Sequence, residues 1–238
     1  MFAGPDGSGK STLKLYLPSN LLGVYLNPDE IEETIRQQGF LDFAAFSVSP
    51  AYAEVLSYFK ESSFLSSAGL GDIADEFELS NNRLNFRRTT VNSYHASVIA
   101  DFLRQKLLEQ KISFTFETVM SHRSKLELLS KATHSGYRTY LYFVATEDPA
   151  INVSRVHARV KMGGHSVPED LIVKRYYRSL DLLMEAIHYT NRAYIFDNSQ
   201  EKENEHTWIA EITEGRELDL KSDKIPAWCQ KFVLDKIK

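Results

Sequence analysis

Hydrophobic and polar positions alternate along the chain in segments that predict an α/β protein. Short runs rich in β-branched and aromatic residues predict strands at 1–3, 23–26, 112–116, 137–145 and 192–196. Longer segments with apolar residues at helical spacing predict helices at 30–38, 51–60, 93–110 and 122–134, the last with Ser121 as its N-terminal cap. Strands that alternate with helices favour a mostly parallel sheet covered by helices.

The segment GPDGSGKST at 4–12 follows the first predicted strand and fits the phosphate-loop pattern G-x-x-x-x-G-K-[ST] without a mismatch. Lys10 is expected to reach the β and γ phosphates, and the Ser11 hydroxyl to complete a Mg²⁺ shell. The alternative is a glycine-rich turn that matches by chance, but a helix-like run at 13–17 follows it. The predicted nucleotide-binding residues are Gly4, Pro5, Asp6, Gly7, Ser8, Gly9, Lys10, Ser11 and Thr12.

Acidic residues follow two further predicted strands, at the sheet edge where ligands of α/β proteins gather. Asp29 and Glu30 come after the second strand, and Asp29 is the candidate base that accepts a proton from an attacking hydroxyl. Its alternative role is the N-cap of the following helix. Glu117, followed by Thr118, ends the next strand, where it could bind Mg²⁺ through water or hold an acceptor hydroxyl, or simply supply a charge to the next helix.

Cations are concentrated in the second half of the chain. Arg155 and Arg159 lie four residues apart on one predicted helix, and the segment GGHSVP at 163–168 breaks it before a second helix that carries Arg175. This pattern predicts a closing lid whose arginines neutralise phosphate charge, with salt bridges to nearby acids as the alternative. The sequence also suggests that Arg87 and Arg88 contact an anionic acceptor, and that Asn198 lies in a loop beside the adenine.

Composition limits the remaining possibilities. The 238 residues, 43% of them apolar, predict one P-loop kinase-like domain with an insertion at about 40–93 and a C-terminal hairpin at about 207–220. A net charge of −4 gives no general attraction to nucleic acid, and the single cysteine, Cys229, excludes an internal disulfide. Since no apolar run approaches the roughly 20 residues of a membrane span, we expect a cytoplasmic protein without a membrane partner.

The motifs, taken in order, resemble the zeta-toxin-like kinases, and most closely their bacterial branch often labelled predicted ABC-type ATPases. The resemblance is carried by 4–12, NPDEI at 27–31, FET at 116–118, Gly136-Tyr137, 155–159, GGHSVP at 163–168, Arg175-Tyr176 and DNS at 197–199. It covers most of the chain except about 40–93. It implies a P-loop NTPase-type three-layer sandwich with a mostly parallel central sheet, a helical lid and a small inserted acceptor lobe.

The resemblance also implies a chemistry. ATP or GTP with Mg²⁺ would be the phosphate donor, the 3′ hydroxyl of UDP-N-acetylglucosamine the acceptor, and an antitoxin protein a partner. By position, Asp29 matches the general base, Lys10 the phosphate-loop lysine, Glu117 an acceptor-site acid and Arg159 a phosphate arginine. His165 falls near the family's second arginine and, with Thr118, Glu30 and Arg175, is expected to contact the acceptor.

The label of an ABC-type ATPase does not fit the sequence, which contains no LSGGQ-like signature. The competing hypothesis is a nucleotide-dependent binding protein, or an ATPase without kinase activity. A kinase differs from an ATPase in that it excludes water and admits an acceptor hydroxyl, which a lid and an acceptor lobe would provide.

Overall fold

The structure, a computed structural model, describes residues 1–70, 76–86, 90–200 and 206–237. The predicted contact of Arg87 and Arg88 with an acceptor lies outside these ranges. The chain divides into two compact units. The first contains Met1–Pro18 and Glu117–Lys238, and the second contains Ser19–Phe116.

The secondary structure follows the predicted alternation of strands and helices. The strands are β1 (Phe2–Ala3), β2 (Val24–Leu26), β3 (Phe40–Asp42), β4 (Glu78–Ser80), β5 (Arg83–Asn85), β6 (Phe114–Thr118), β7 (Tyr140–Ala145), β8 (Arg192–Asp197), β9 (Thr207–Thr213) and β10 (Glu217–Leu220). The helices are α1 (Lys10–Leu13), α2 (Ser19–Leu22), α3 (Pro28–Gln38), α4 (Tyr52–Lys60), α5 (Ser63–Ser67), α6 (Ser93–Glu109), α7 (Ser124–His134), α8 (Pro149–Lys161), α9 (Glu169–Asp181), α10 (Leu183–His188) and α11 (Ala227–Cys229). Across the described ranges, each helix is too short or too polar to cross a membrane.

Within the described ranges, seven strands form one sheet in the order β10-β9-β8-β7-β1-β6-β2. All pairs from β8 to β2 are parallel, and β8, β9 and β10 pair antiparallel. This arrangement confirms the predicted α/β fold with a mostly parallel central sheet. Because parallel strands end at the same edge, the loops after β1, β7 and β8 leave the first unit's part of the sheet on one side.

The central strand β1 is only two residues long but is paired on both sides. Phe2 lies opposite Glu117 of β6 and Tyr142 of β7, and both Phe2 and Ala3 are fully buried. Its backbone groups therefore find partners within the sheet, as buried peptide groups require.

The second unit contains a separate small sheet. Within the described ranges, β3, β5 and β4 pair antiparallel in that order. Asn81 and Asn82 connect β4 to β5 with φ angles of 52° and 61°, the left-handed conformation that a two-residue hairpin turn of type I′ requires. The sequence of 77–86, with these two asparagines in it, is typical of either a short hairpin or a connector, and the structure has the hairpin. Leu84 and Phe77 anchor it in the unit's core.

Several predicted boundaries differ from the structure, and three of the differences have a local cause or remove a predicted cap. The helix after the phosphate loop is short, because a 3₁₀ turn at Lys14–Tyr16 replaces its continuation ahead of Pro18. The strand predicted at 112–116 begins at Phe114, since the amide of Ile112 still bonds to the carbonyl of Leu107 and closes α6. Ser121 does not cap α7, which begins three residues later with Arg123 at its N-cap.

The close approach of β7 to the phosphate loop predicts a severe effect of one substitution. Gly4 has φ 146°, and a Cβ atom there would overlap the Val144 carbonyl oxygen of β7. We expect Gly4→Ala to lower the free energy of unfolding by about 3 kcal/mol or more, because rigid backbone rather than a flexible side chain is in the way.

Gly39→Ala is the matched control for Gly4→Ala. Gly39 also has a positive φ, 77°, but no heavy atom of the described residues lies within 4 Å of the position that a Cβ atom would take. It should cost only about 1 kcal/mol of backbone strain. Urea unfolding of both variants measures the difference, and equal losses would show that the overlap with Val144 is not what fixes Gly4.

Candidate functional site

The phosphate loop lies in the first unit, between the end of β1 and the start of α1. Gly9 stands at the N-cap of α1 with φ 93°, and a Cβ atom there would overlap the Asn198 side-chain amide. Only glycine combines that backbone angle with so close a neighbour. Successive residues in such mixed conformations turn their N–H groups toward one point, which is how a loop of this kind binds an anion.

Two buried asparagines hold the carbonyl groups of this loop from outside. Asn152 Nδ2 on α8 donates to the Asp6 carbonyl at 2.6 Å, and Asn198 Nδ2 after β8 donates to the Ser8 carbonyl at 2.8 Å. Both asparagines are at most 2% exposed. These side-chain amides therefore hold the backbone of the loop at Asp6 and Ser8 in one conformation.

The orientation of the Asn152 amide is fixed by its own partners. The Thr146 hydroxyl donates to Asn152 Oδ1, and the Tyr176 hydroxyl donates to the Thr146 carbonyl at 2.6 Å. Burial raises the pKa of Tyr176 well above its usual value, so the phenol keeps its proton and remains a donor. The network thus runs from α9 through Thr146 and Asn152 to the phosphate loop.

The predicted metal ligands lie within hydrogen-bonding distance of each other. Ser11 Oγ, on the first turn of α1, donates to Glu117 Oε2 at 2.9 Å, and Glu117 at the end of β6 is only 8% exposed. A hydroxyl and a carboxylate fit Mg²⁺, which prefers oxygen ligands and takes most of its shell from water and phosphate. These two residues are the groups that would hold the ion.

Two of the three lid arginines contact the phosphate loop or the loop after β8. Arg155 on α8 donates to the carbonyls of Asn198 at 2.8 Å and Gln200 at 3.0 Å. Arg175 on α9 forms an ion pair with Asp6, with Nη1 3.3 Å from Oδ2. Both are therefore tied to the nucleotide-binding residues predicted from the sequence.

Arg159 has a different environment. It is exposed, and its Nη2 lies 3.4 Å from the carbonyl of His165 in the turn that follows α8. Within the described residues, Arg155 and Arg159 donate hydrogen bonds to backbone carbonyls. The alternative considered from the sequence was that they form salt bridges with nearby acidic residues. The shared helical face of the two arginines does not give them the same partners.

His206 also contacts the phosphate loop, although the sequence did not predict it as a site residue. Its Nε2 lies 3.2 Å from both the Gly9 carbonyl and Thr12 Oγ1, and its ring meets Tyr16 edge-on. Burial lowers the pKa of His206, while the Gly9 carbonyl opposes this and the charge of Arg155 adds to it. A neutral imidazole is thus favoured against the loop. No spacing or motif marks this histidine, because its position depends on where β9 begins.

The remaining candidates have simple local structures. In the second unit, Asn27 rather than Asp29 caps α3, since Asn27 Oδ1 accepts from the Asp29 amide at 3.0 Å. The N-cap role considered for Asp29 is therefore wrong. Asp29 and Glu30 are exposed in the first turn of α3. In the first unit, Thr118 Oγ1 accepts from the Met120 amide, and His165 is exposed.

Comparison with known proteins gives a solved structure with the same fold and a shorter curated relative. The crystal structure of AvrRxo1-ORF1:AvrRxo1-ORF2 with sulphate ions is 14% identical with a TM-score of 0.52, and the match covers 93% of this chain and 60% of that chain. An uncharacterised protein of Haemophilus influenzae is 33% identical over 69 residues, which are 29% of this chain and 49% of that protein. This chain thus spans about half the length of the curated relative and less than two thirds of the solved chain.

The family comparison covers a larger part of the sequence than the match to the curated relative does. The profile of the family described as Zeta toxin matches residues 86–206. This range includes Glu117, the lid arginines, Asn152, Asn198 and His206, and it begins after the phosphate loop and Asp29. The match covers half of the sequence, and the chain belongs to the zeta toxin family.

Proposed function

We propose that this chain is a kinase that transfers the γ-phosphate of ATP or GTP to a hydroxyl group of a small metabolite, with UDP-N-acetylglucosamine as the first candidate. The observation that carries the proposal is the anchored phosphate loop with Ser11 bonded to Glu117. Membership of the zeta toxin family, whose members are phosphotransferases, supports the reaction class.

In this proposal the chain's own residues divide the work of phosphoryl transfer. The loop amides and Lys10 bind the phosphates, and Lys10 Nζ already lies at the loop, 2.8 Å from the Pro5 carbonyl. Ser11 and Glu117 would hold Mg²⁺, whose charge would offset the negative charge of the phosphates. Arg159 closes on the γ-phosphate from its exposed position, and Arg155 holds the loop at Asn198 and Gln200 beside the base.

The proposed proton acceptor is Asp29. The acceptor hydroxyl oxygen attacks the γ-phosphorus, the bond to the β–γ bridging oxygen breaks, ADP or GDP leaves, and the hydroxyl proton passes to the Asp29 carboxylate. An exposed carboxylate that is not used for helix capping is suited to this role. Glu30, Thr118 and His165 are proposed to contact the acceptor, and the reaction to take place in the cytoplasm.

A protein partner is a further part of the proposal. The crystal structure with the same fold contains two proteins, AvrRxo1-ORF1 and AvrRxo1-ORF2. Together with the zeta toxin family match, this supports an antitoxin that binds this chain. Neither nucleic acid nor a membrane is proposed as a partner.

Lys10→Ala should abolish the binding of ATP while the fold is kept, because the lysine charge is directed at phosphate rather than at the core. Calorimetric titration of both proteins with Mg·ATP, after a check of thermal unfolding, measures this. Lys131→Ala, which removes a lysine from an exposed position of α7, is the control and should bind like the unmodified protein. Equal ATP affinity in the Lys10→Ala variant would reject the site.

Arg159→Ala and Arg155→Ala should impair different properties, the first the rate of phosphoryl transfer and the second the affinity for nucleotide. Losing Arg159 should lower the rate of phosphoryl transfer by about 10³-fold with little change in nucleotide affinity, since a lid arginine meets charge that develops during transfer. Losing Arg155 should mainly weaken nucleotide binding, because its bonds to Asn198 and Gln200 hold the loop in place. Single-turnover rates and ATP affinities separate these effects. A loss of affinity alone for Arg159→Ala would assign that arginine to ground-state binding.

The acceptor class is tested by incubating the protein with γ-labelled ATP, Mg²⁺ and either UDP-N-acetylglucosamine or a metabolite extract. Asp29→Asn keeps the shape of the side chain but removes the base, so label should enter a small molecule only with the unmodified protein. Glu33→Gln, one turn further along α3 and also exposed, is the matched control and should transfer label normally.

Other distributions of the label contradict parts of the proposal. Label released only as inorganic phosphate, at a rate indifferent to Asp29, would reject the kinase and favour an ATPase or a nucleotide-controlled binding protein. Label in added protein or RNA would keep the transfer chemistry and reject the metabolite acceptor.

A further inference from the structure

The phosphate loop carries an acidic side chain where it must bind an anion. Asp6 is the third residue of the motif, and its side chain is only 12% exposed. A carboxylate in that position repels phosphate unless a positive charge compensates it. Arg175 supplies the charge, since its Nη1 lies 3.3 Å from Asp6 Oδ2.

Lys10 shows which end of the loop the pair occupies. Lys10 Nζ lies 2.8 Å from the carbonyl oxygen of Pro5, the residue just before Asp6. The lysine of this motif reaches the β and γ phosphates, so Pro5 and Asp6 mark the end of the loop where the terminal phosphate binds. The Arg175 guanidinium therefore lies at that same end.

Both members of the pair are held by buried contacts. The Asp6 carbonyl accepts from Asn152, so the backbone that carries the carboxylate is fixed. Next to Arg175, Tyr176 is buried and bonds to the Thr146 carbonyl. Ile172 of α9 packs with Val153 and Val156 of α8, which anchors the helix that carries Arg175. The guanidinium is thus placed before any ligand arrives.

We propose that Asp6 is a positioning residue that holds Arg175 at the terminal-phosphate end of the loop, where Arg175 contacts the γ-phosphate and makes the site prefer nucleoside triphosphates to diphosphates. This inference rests on the nucleotide site of the proposed function and not on the acceptor or on transfer. The Arg175 guanidinium bridges the carboxylate and the phosphate, using donors on different edges of its planar fork.

The test is the ratio of the dissociation constants of Mg·ADP and Mg·ATP, measured by calorimetric titration. Asp6→Asn should lower this preference for ATP by about tenfold, and Arg175→Ala by a similar factor. The direction in which Asp6→Asn changes the preference for ATP identifies the cause of the change. Removing a negative charge should by itself favour the more highly charged triphosphate, so a fall in preference reflects the loss of a positioned Arg175.

The double variant and three controls complete the experiment. Asp6→Asn combined with Arg175→Ala should lose no more preference than either change alone, because both remove the same contact. Arg178→Ala, an exposed arginine three residues further along α9, should leave the preference unchanged. Asp6→Glu keeps the charge and should retain more of the preference than Asp6→Asn. Arg175→Lys keeps the positive charge but not the planar guanidinium, so its preference for ATP should lie between those of the unmodified protein and Arg175→Ala.

Each contrary outcome has a defined meaning. An unchanged or increased ATP preference in Asp6→Asn, additive losses in the double variant, or equal binding of ADP and ATP by the unmodified protein would overturn the inference. A protein that transfers no phosphate but shows the expected preference would reject the proposed kinase and keep the role of Asp6. Thermal unfolding of each variant identifies a loss of fold, and the Asp6→Glu and Arg175→Lys variants then carry the comparison.

Discussion

The candidate site depends on two hydrogen bonds that buried asparagine amides donate to carbonyls of the phosphate loop. Asn152 holds the carbonyl of Asp6 and Asn198 that of Ser8. A buried carbonyl left without a donor costs about 1–3 kcal/mol, so the loop is stable in this orientation only while both amides are in place. Asn152 follows β7 and Asn198 follows β8, which means that the order of strands in the sheet decides the conformation of the loop.

The sheet also fixes where the phosphate loop starts. β1 has two residues, yet it is paired with β6 and β7 on its two sides. Its neighbours therefore fix the direction in which the loop leaves the sheet. Because β7 lies so close to the start of the loop, the Val144 carbonyl oxygen occupies the position that a Cβ atom of residue 4 would take, and only glycine fits there. Ser11 and Glu117 meet for a related reason, as Glu117 lies on the strand next to β1.

Features encoded locally could be predicted from the sequence, and those that depend on distant parts of the chain could not. The phosphate loop, the Asn81–Asn82 hairpin and the pairing of strand-end residues follow from short patterns and from the geometry of parallel sheets. Asn152 looks like an ordinary polar residue in a helix, and only the fold brings it to Asp6. Equal helical spacing likewise could not separate Arg155, which reaches the loop after β8, from Arg159, which bonds to the following turn.

The charges around the loop connect nucleotide binding to the helices of the predicted lid. Asp6 cancels the charge of one cation, so Lys10 alone would leave the loop with no net positive charge, and Arg175 restores it. Arg175 belongs to α9, and Asn152, which holds the same residue Asp6 through its backbone, belongs to α8. Any movement of these helices away from the loop would remove both contacts together. If Arg175 contacts the γ-phosphate as proposed, linkage requires a bound triphosphate to favour the arrangement in which α8 and α9 stay docked on the loop, by the same free energy with which docking favours the triphosphate.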